Sequence, residues 1–346
     1  MADQITSILK KLLNQPTAPF HEYHVRAQIE QLLLDVPHVE LEHDTFGNLL
    51  VTYRKGKRKQ EPVWVIGAHM DHPAYVKSPK KPTEWEFLGG VPKSIVDTEA
   101  AKKMMKPVGD IAPWNFKVSV DEVVEDGVED GVDNARVEAP ACDDLVGCAI
   151  IVAVIKEIAR LGMEATFHAA FTRAEEVGFL GAWHLGKNWP FGEKSVFLSL
   201  ETSRPVNGAE MGEGPIVRVG DRLSVFDAEI VNMLVRTASG QGIRVQRCLL
   251  DAGACEATAL QACGIRSGGI SVPLGNYHNL GDDNSIQPEY VMLGDVKETL
   301  KLLVALVGTD HQGLSERSIE ERVTLRMKEY KKHHEAGDAG FAQREA

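Results

Sequence analysis

The chain has 346 residues, 43% hydrophobic and 25% charged, which leaves room for one large globular domain and a smaller one. A formal net charge of −12 repels phosphate backbones and anionic lipid, so nucleic acid and membranes are excluded as general partners. No apolar stretch reaches membrane-spanning length, Met1-Ala-Asp-Gln lacks a signal-peptide pattern, and the five cysteines (142, 148, 248, 255, 263) form no Cys-x-x-Cys pair, so free thiols and a cytoplasmic location are expected.

Ile5, Ile8, Leu9, Leu12 and Leu13 recur at helical spacing, and Pro16 and Pro19 interrupt the helix they predict. A second helix follows, with Val25, Ile29, Leu32 and Leu33 on one face. His21 and His24, near its start, read as surface or capping residues. Asp44-Thr-Phe-Gly-Asn48 reads as a turn, Leu49–Tyr53 as a strand leaving it, and Lys55–Lys59 as a solvated basic loop. Val63–Ala68 is a continuous apolar run of buried-strand type. It ends in His69-Met-Asp71-His72, and open α/β sheets bind ligands beyond the carboxyl ends of their strands.

Residues 73 to 139 change character. Lys77–Lys81 is basic and carries a proline, Glu122–Asp133 is acidic with a repeated Glu-Asp-Gly-Val, and Val118, Val120, Val123 and Val128 predict short strands. The segment reads as a small, mostly β insertion that closes over or beside a site.

Ala139-Pro-Ala-Cys-Asp143-Asp144-Leu-Val-Gly147 then opens a long apolar helix, Leu145–Leu161. An acidic residue ahead of such a run is ordinarily a helix cap. Capping accounts for one aspartate; the other is free to point into a site. Thr166–Thr172 is a buried strand ending in Arg173-Ala-Glu175-Glu176-Val-Gly178, and Gly181–Lys187 is a short helix. Ser195–Leu200 is another buried strand ending in Glu201, and Val225–Ser239 is a helix. The strand Gly268–Val272 leads through Pro273-Leu-Gly-Asn-Tyr to His278, and Val296, Leu300, Leu303, Val304 and Val307 mark the next helix. Residues 310–346 form a charged tail, helical or disordered, with a narrow apolar stripe at Ile319, Val323, Met327 and Tyr330; His333 and His334 have no partner there at metal spacing.

His69/Asp71, Glu175/Glu176, Glu201 and His278 thus follow strand ends, and Asp143-Asp144 opens a helix between them. Each alone has a dull reading as a solvated or hydrogen-bonded residue. Gathered at one edge of a sheet, they form a mixed oxygen and nitrogen donor set suited to zinc, or to cobalt or manganese. That much negative charge needs a cation to balance it. On extended backbone Glu175 and Glu176 point to opposite sides, so one is free to bind metal and the other to act as a base.

Gly67-Ala-His-Met-Asp71, Asp143-Asp-Leu-Val-Gly-Cys148, Phe171-Thr-Arg-Ala-Glu-Glu-Val-Gly178, Asp251-Ala-Gly-Ala254, Gly269-Ile-Ser-Val-Pro273 leading to His278, and Asp295–Leu306 resemble the binuclear metallopeptidases of the TET and deblocking aminopeptidase type. The resemblance covers residues 5–308 in order. It implies a zinc-exopeptidase fold: an α/β body with a central, mostly parallel sheet flanked by helices. That body is residues 1–72 plus 140–309, with 73–139 as a small β-rich inserted domain and 310–346 as the tail. It also implies two divalent metal ions held by His69, Asp143, Glu176, Glu201 and His278, with Asp143 bridging and followed by a cis peptide. Asp71 orients His69, and Glu175 is the general base toward a bridging hydroxide. Asp251 falls in a family motif and lines or supports the pocket.

Four departures from the family pattern stand out. Glu201 replaces the usual Asp, His72 a usual Glu, and Gly275-Asn276 a usual Arg-Tyr. The spacing from His69 to Asp143, 143 − 69 = 74 residues, is shorter than usual. The expected activity is an aminopeptidase releasing N-terminal residues from peptide substrates as a homo-oligomer. A carboxypeptidase or N-acyl amidohydrolase on the same site is the alternative; a glycoside hydrolase or an inactive scaffold is more remote.

Overall fold

The architecture comes from a computed structural model that describes residues 2–56, 61–121, 135–309 and 319–342. The acidic stretch Glu122–Asp133, with Val123 and Val128, lies outside the described residues, as do 57–59 of the basic loop. The strands are β1 Val39–His43, β2 Leu49–Lys55, β3 Val63–His69, β4 Ala74–Lys77, β5 Trp85–Leu88, β6 Ile111–Ala112, β7 Ser119–Asp121, β8 Arg136–Ala139, β9 Ala165–Thr172, β10 Ser195–Ser203, β11 Ile216–Asp221, β12 Gln246–Leu250, β13 Ser267–Pro273 and β14 Glu289–Met292. The helices are α1 Ala2–Leu13, α2 Tyr23–Leu33, α3 Lys93–Val96, α4 Glu99–Lys103, α5 Cys142–Leu161, α6 Leu180–Lys187, α7 Ala228–Gly240, α8 Glu256–Ala262, α9 Leu293–Gly308, α10 Ile319–Glu329 and α11 Lys331–Ala342.

The main sheet has the order β1-β2-β9-β3-β10-β13-β11-β12. Its centre, β9-β3-β10-β13, is parallel, while β1, β2 and β11 join antiparallel at its flanks. The central strands are buried along nearly their whole length. This is why they read as unbroken apolar runs rather than alternating ones. Parallel pairing points the carboxyl ends of β9, β3 and β10 the same way, and those ends carry Glu175 and Glu176, His69 and Glu201.

One helix, α5, is buried around almost its entire circumference. It packs on β3 and β10 and is covered by α1 and α9. Ile5, Ile8, Leu9, Leu12 and Leu13 of α1 are buried in the same core, each side chain stabilising by roughly 1.5–3 kcal/mol. Gly162 ends α5 at φ +64° and donates its N–H to the carbonyls of the last turn, a conformation that favours glycine.

Within residues 73–139, β5-β4-β6 form one small antiparallel sheet, and β8 pairs with β7 on one side and β14 on the other. Residues 136–139 are therefore stitched to 289–292 of the main body. The segment also holds α3 and α4, the latter capped by Thr98, whose Oγ1 accepts the Ala101 N–H at 3.1 Å. Its own apolar cluster includes Tyr75, Val96, Met105 and Trp114.

Residues 310–346 are a separate compact unit. Its described part is α10, on which Val323, Leu325 and Met327 are exposed, and α11, joined to it by the exposed Tyr330. Among the described residues no helix is long and apolar enough to cross a membrane. All five cysteines are free thiols.

Candidate metal centre

His69 is the last residue of β3 and only 1% exposed. Its Nε2 lies 3.4 Å from Asp143 Oδ1 and 3.7 Å from Glu201 Oε2. Its Nδ1 lies 3.1 Å from the Asp71 carbonyl and 3.5 Å from Asp71 Oδ1, so the ring is aimed from behind. Glu201 sits on β10, and its Oε1 accepts the Ser199 hydroxyl at 2.7 Å. On the other side, His278 Nε2 lies 3.2 Å from Glu176 Oε2 and 4.0 Å from Asp143 Oδ2. Asp143 therefore stands between a His69/Glu201 pair and a His278/Glu176 pair.

The peptide between Asp143 and Asp144 is cis. Neither residue has helical backbone angles, although the helix assignment of α5 begins before them. Asp144 divides the labour as capping chemistry requires: its Oδ1 accepts the Gly147 N–H at 3.2 Å, leaving Asp143 to the site. The Asp144 carboxylate nevertheless groups with His69 and Glu201 within 4.8 Å.

Glu175 and Glu176 are not on extended backbone. Ala174 has φ +55°, and a turn is closed by the Gly178 N–H donating to the Glu175 carbonyl at 2.8 Å. The alternation expected of a strand therefore does not apply. Both backbone N–H groups instead donate to Asp71, Glu175 to Oδ1 at 3.0 Å and Glu176 to Oδ2 at 3.1 Å. The two side chains still part: Glu176 meets His278, whereas Glu175 lines a cavity of about 220 Å³ with His69, Asp143, Glu201 and Tyr277. Asp71 thus holds both the glutamate turn and His69.

Electrostatically the cluster is overloaded with acid. Burial pushes the Glu175 carboxyl well up, and Glu201, Glu176 and Asp71 add to this against the opposing pull of His69. The His69 imidazole is raised well above its ordinary value: burial opposes its charge, but the Asp143 and Asp71 carboxylates beside it outweigh it. Asp143 is lowered, burial being overcome by His69 and His278. Asp143 Oδ1, Glu176 Oε1 and His278 Nε2 are buried without a hydrogen-bond partner. Stranded atoms of this kind call for a bound partner, and carboxylate oxygens with imidazole nitrogens fit a divalent cation.

Two supporting residues carried no signal strong enough to find in the sequence, and a third, His72, stands out there only as a departure from the family pattern. Glu289, fully buried at the start of β14, accepts the Asp143 N–H at 2.9 Å and the His278 N–H at 2.8 Å. It clamps two candidate ligands at once, and His278 needs it because its backbone is left-handed at φ +55°. Glu256, at the start of α8, is fully buried with both carboxylate oxygens unpartnered. Burial first, then Glu201, pushes it up to about 8. His72 holds the Asp143 carbonyl at 2.6 Å through Nδ1, so that nitrogen carries the proton. Asp251 is exposed and accepts the Asn207 amide at 2.9 Å. Its neighbours Leu250, Ala252, Gly253 and Ala254 line the cavity instead.

Over 220 residues the chain is 31% identical to a "Putative aminopeptidase" of Acetivibrio thermocellus, a match covering 60% of this chain and 58% of that protein. The matched region therefore spans under two thirds of the curated relative. An aminopeptidase from the archaeon Desulfurococcus kamchatkensis superposes with a TM-score of 0.69 at 20% identity, covering 92% of this chain and 99% of that one. The TET1 peptidase of Pyrococcus horikoshii, which can assemble into a tetrahedron or a large octahedral shell, gives 0.69 at 20% identity over 88% of this chain and 99% of that one. Both likenesses establish the expected α/β fold. With the M42 glutamyl aminopeptidase pattern matching residues 117–302, more than half its length, the chain belongs to that family.

Proposed function

We propose that the protein is a two-metal aminopeptidase acting on peptides with a free N-terminus. The observation that carries this reading is the trio of buried, unpartnered atoms, Asp143 Oδ1, Glu176 Oε1 and His278 Nε2, within one group of carboxylates and imidazoles. His69 and Glu201 would hold one ion, Glu176 and His278 the other, with Asp143 shared. Zinc suits this donor set best, with cobalt or manganese next. When bound, such ions supply Lewis acidity and lower the pKa of a water molecule.

The chain's own residues do the rest. Glu175 faces the cavity from a turn anchored on Asp71. From there it takes the proton of the attacking water and hands it to the leaving amine. The cluster's surplus of carboxylates receives the substrate's N-terminal ammonium. Arg218, 3% exposed and lining the same cavity with Arg204, suits an acidic first side chain. A charge-assisted bond of this kind contributes about tenfold or more in affinity. Assembly into a homo-oligomer and a cytoplasmic setting complete the proposal, as does a catalytic body of 1–72 plus 140–309 with 73–139 accessory to it.

The same arginines favour one second reading. They suit a substrate's terminal carboxylate equally well, as a carboxypeptidase or N-acyl amidohydrolase on this centre would require. A glycoside hydrolase leaves His69 and His278 without a task. The deciding experiment strips the protein of metal, restores zinc or cobalt, and compares glutamyl peptides with free and N-acetylated ends. Metal-dependent release of the N-terminal residue from free ends alone is expected. Cleavage confined to acylated compounds establishes the second reading, and no cleavage of either overturns both.

A further inference from the structure

We infer that Glu22 is a positioning residue of the candidate metal centre, holding from behind the turn that carries Glu175 and Glu176. This role rests on the proposed two-metal reading, in which Glu175 is the base and Glu176 a ligand.

Glu22 stands at the N-cap of α2, yet its side chain caps nothing in that helix, although a carboxylate there is favourably placed to do so. It is 1% exposed and turns instead toward the end of β9. Its Oε1 accepts the Phe20 N–H at 2.8 Å and the Ala174 N–H at 3.0 Å, and its Oε2 accepts Nε–H of Arg173 at 2.7 Å. The Arg173 guanidinium in turn donates to the Phe20 and Phe46 carbonyls, each at 2.7 Å. Just upstream, the Thr17 hydroxyl donates at 2.6 Å to the carbonyl of Met70, which lies between His69 and Asp71. The segment from Thr17 to Glu22 thus ties together the ends of β3 and β9, and neither residue lines the catalytic cavity.

The turn needs that support. Ala174 is in left-handed backbone at φ +55°, which an alanine adopts only when its surroundings impose it. The N–H groups of Arg173, Ala174, Glu175 and Glu176 are taken in succession by Asn48 Oδ1, Glu22 Oε1, Asp71 Oδ1 and Asp71 Oδ2. Asp71 fixes the two glutamates directly, and Glu22 fixes the strained residue from which they start. Without Glu22 the buried Ala174 N–H loses its acceptor, and the direction of both glutamates is no longer set.

The test compares Glu22→Ala, Glu22→Gln and the wild type, reconstituted with zinc and assayed on a glutamyl peptide with a free N-terminus. The glutamine keeps an acceptor for Ala174 but turns its amide N–H toward Arg173, so both variants should unfold at lower urea than the wild type. A merely structural role would lower turnover in step with stability. Glu22→Ala is expected instead to lower kcat by about 10- to 100-fold at unchanged KM. It should also weaken the ion at Glu176 and His278 by about 10- to 100-fold, measured by competition with a chelator. Glu22→Gln should largely restore both. Wild-type turnover and zinc affinity in Glu22→Ala overturn the inference, as do equal losses in the two variants. A wild type that binds zinc but cleaves no peptide sinks the aminopeptidase reading alone, and the zinc affinities of the variants then decide the role of Glu22. A wild type that binds no zinc overturns both. Should Glu22→Ala not fold, Glu22→Asp, whose carboxylate is withdrawn from Ala174 by one methylene, takes its place.

Discussion

The two halves of the candidate metal centre are built by different means. The His69 half rests on regular structure: His69 ends β3, Glu201 lies on β10, and their supports, Asp71 and Ser199, are two residues away in each case. The His278 half rests on loops. His278 sits in left-handed backbone, Glu176 in a turn, and both depend on acceptors far along the chain, Glu289 and Asp71. Parallel strands converge their ends without further help, so a ligand there needs only the right residue. A loop ligand needs a second residue to hold its backbone.

Breaking the loop half should therefore cost more than its single contact suggests. Glu289→Ala strands two buried N–H groups, of Asp143 and His278, at about 2–6 kcal/mol together. Urea denaturation should show that loss, and metal analysis should show one ion gone while the His69 half keeps its own. Glu175→Gln tests the residue between the halves. It should lower turnover by about 100- to 10,000-fold and leave metal content unchanged; a loss of metal would mean that the roles of Glu175 and Glu176 are exchanged. Asp71→Asn touches both halves gently, since an amide keeps only one of the two acceptors used by the glutamate turn. A 10- to 100-fold loss in metal affinity is expected, measured by competition with a chelator.

The smallest effect on function comes from a histidine outside the site. His168 lies within β9, its Nδ1 2.8 Å from the Thr52 hydroxyl, and burial, aided by the charge of Arg54, pulls it down to about 4. The unfolded chain binds that proton near 6.5, the folded one only near 4. Stability should thus fall as pH drops from 6.5 to 4 and level off from this source below, by about 3 kcal/mol in all. His168→Gln should flatten that part of the stability profile.

The same contrast explains what could be read from the residues alone. β3, β9, β10 and β13 are buried on both faces, so their apolar runs and their polar ends stand out, and His69, Glu175, Glu176 and Glu201 come with them. The pairing of Asp143 with Asp144 was legible as cap plus site residue. Glu289 was not, because it lies eleven residues beyond His278 in a strand of only four, β14, and its role exists only once that loop has folded back. Glu256 reads in the chain as an ordinary acid in a first helical turn. The turn at Ala174–Gly178 defeats an alternation argument because a single left-handed residue resets the direction of every side chain after it.

The central claim is that Asp143 joins a strand-built half and a loop-built half into one centre for two ions. Metal-to-protein stoichiometry tests it most directly, measured on the zinc-reconstituted wild type and on His278→Ala after equal dialysis. Two ions per chain in the wild type and one in the variant are predicted. A wild type that retains no zinc, or a variant that still retains two ions, would contradict the account.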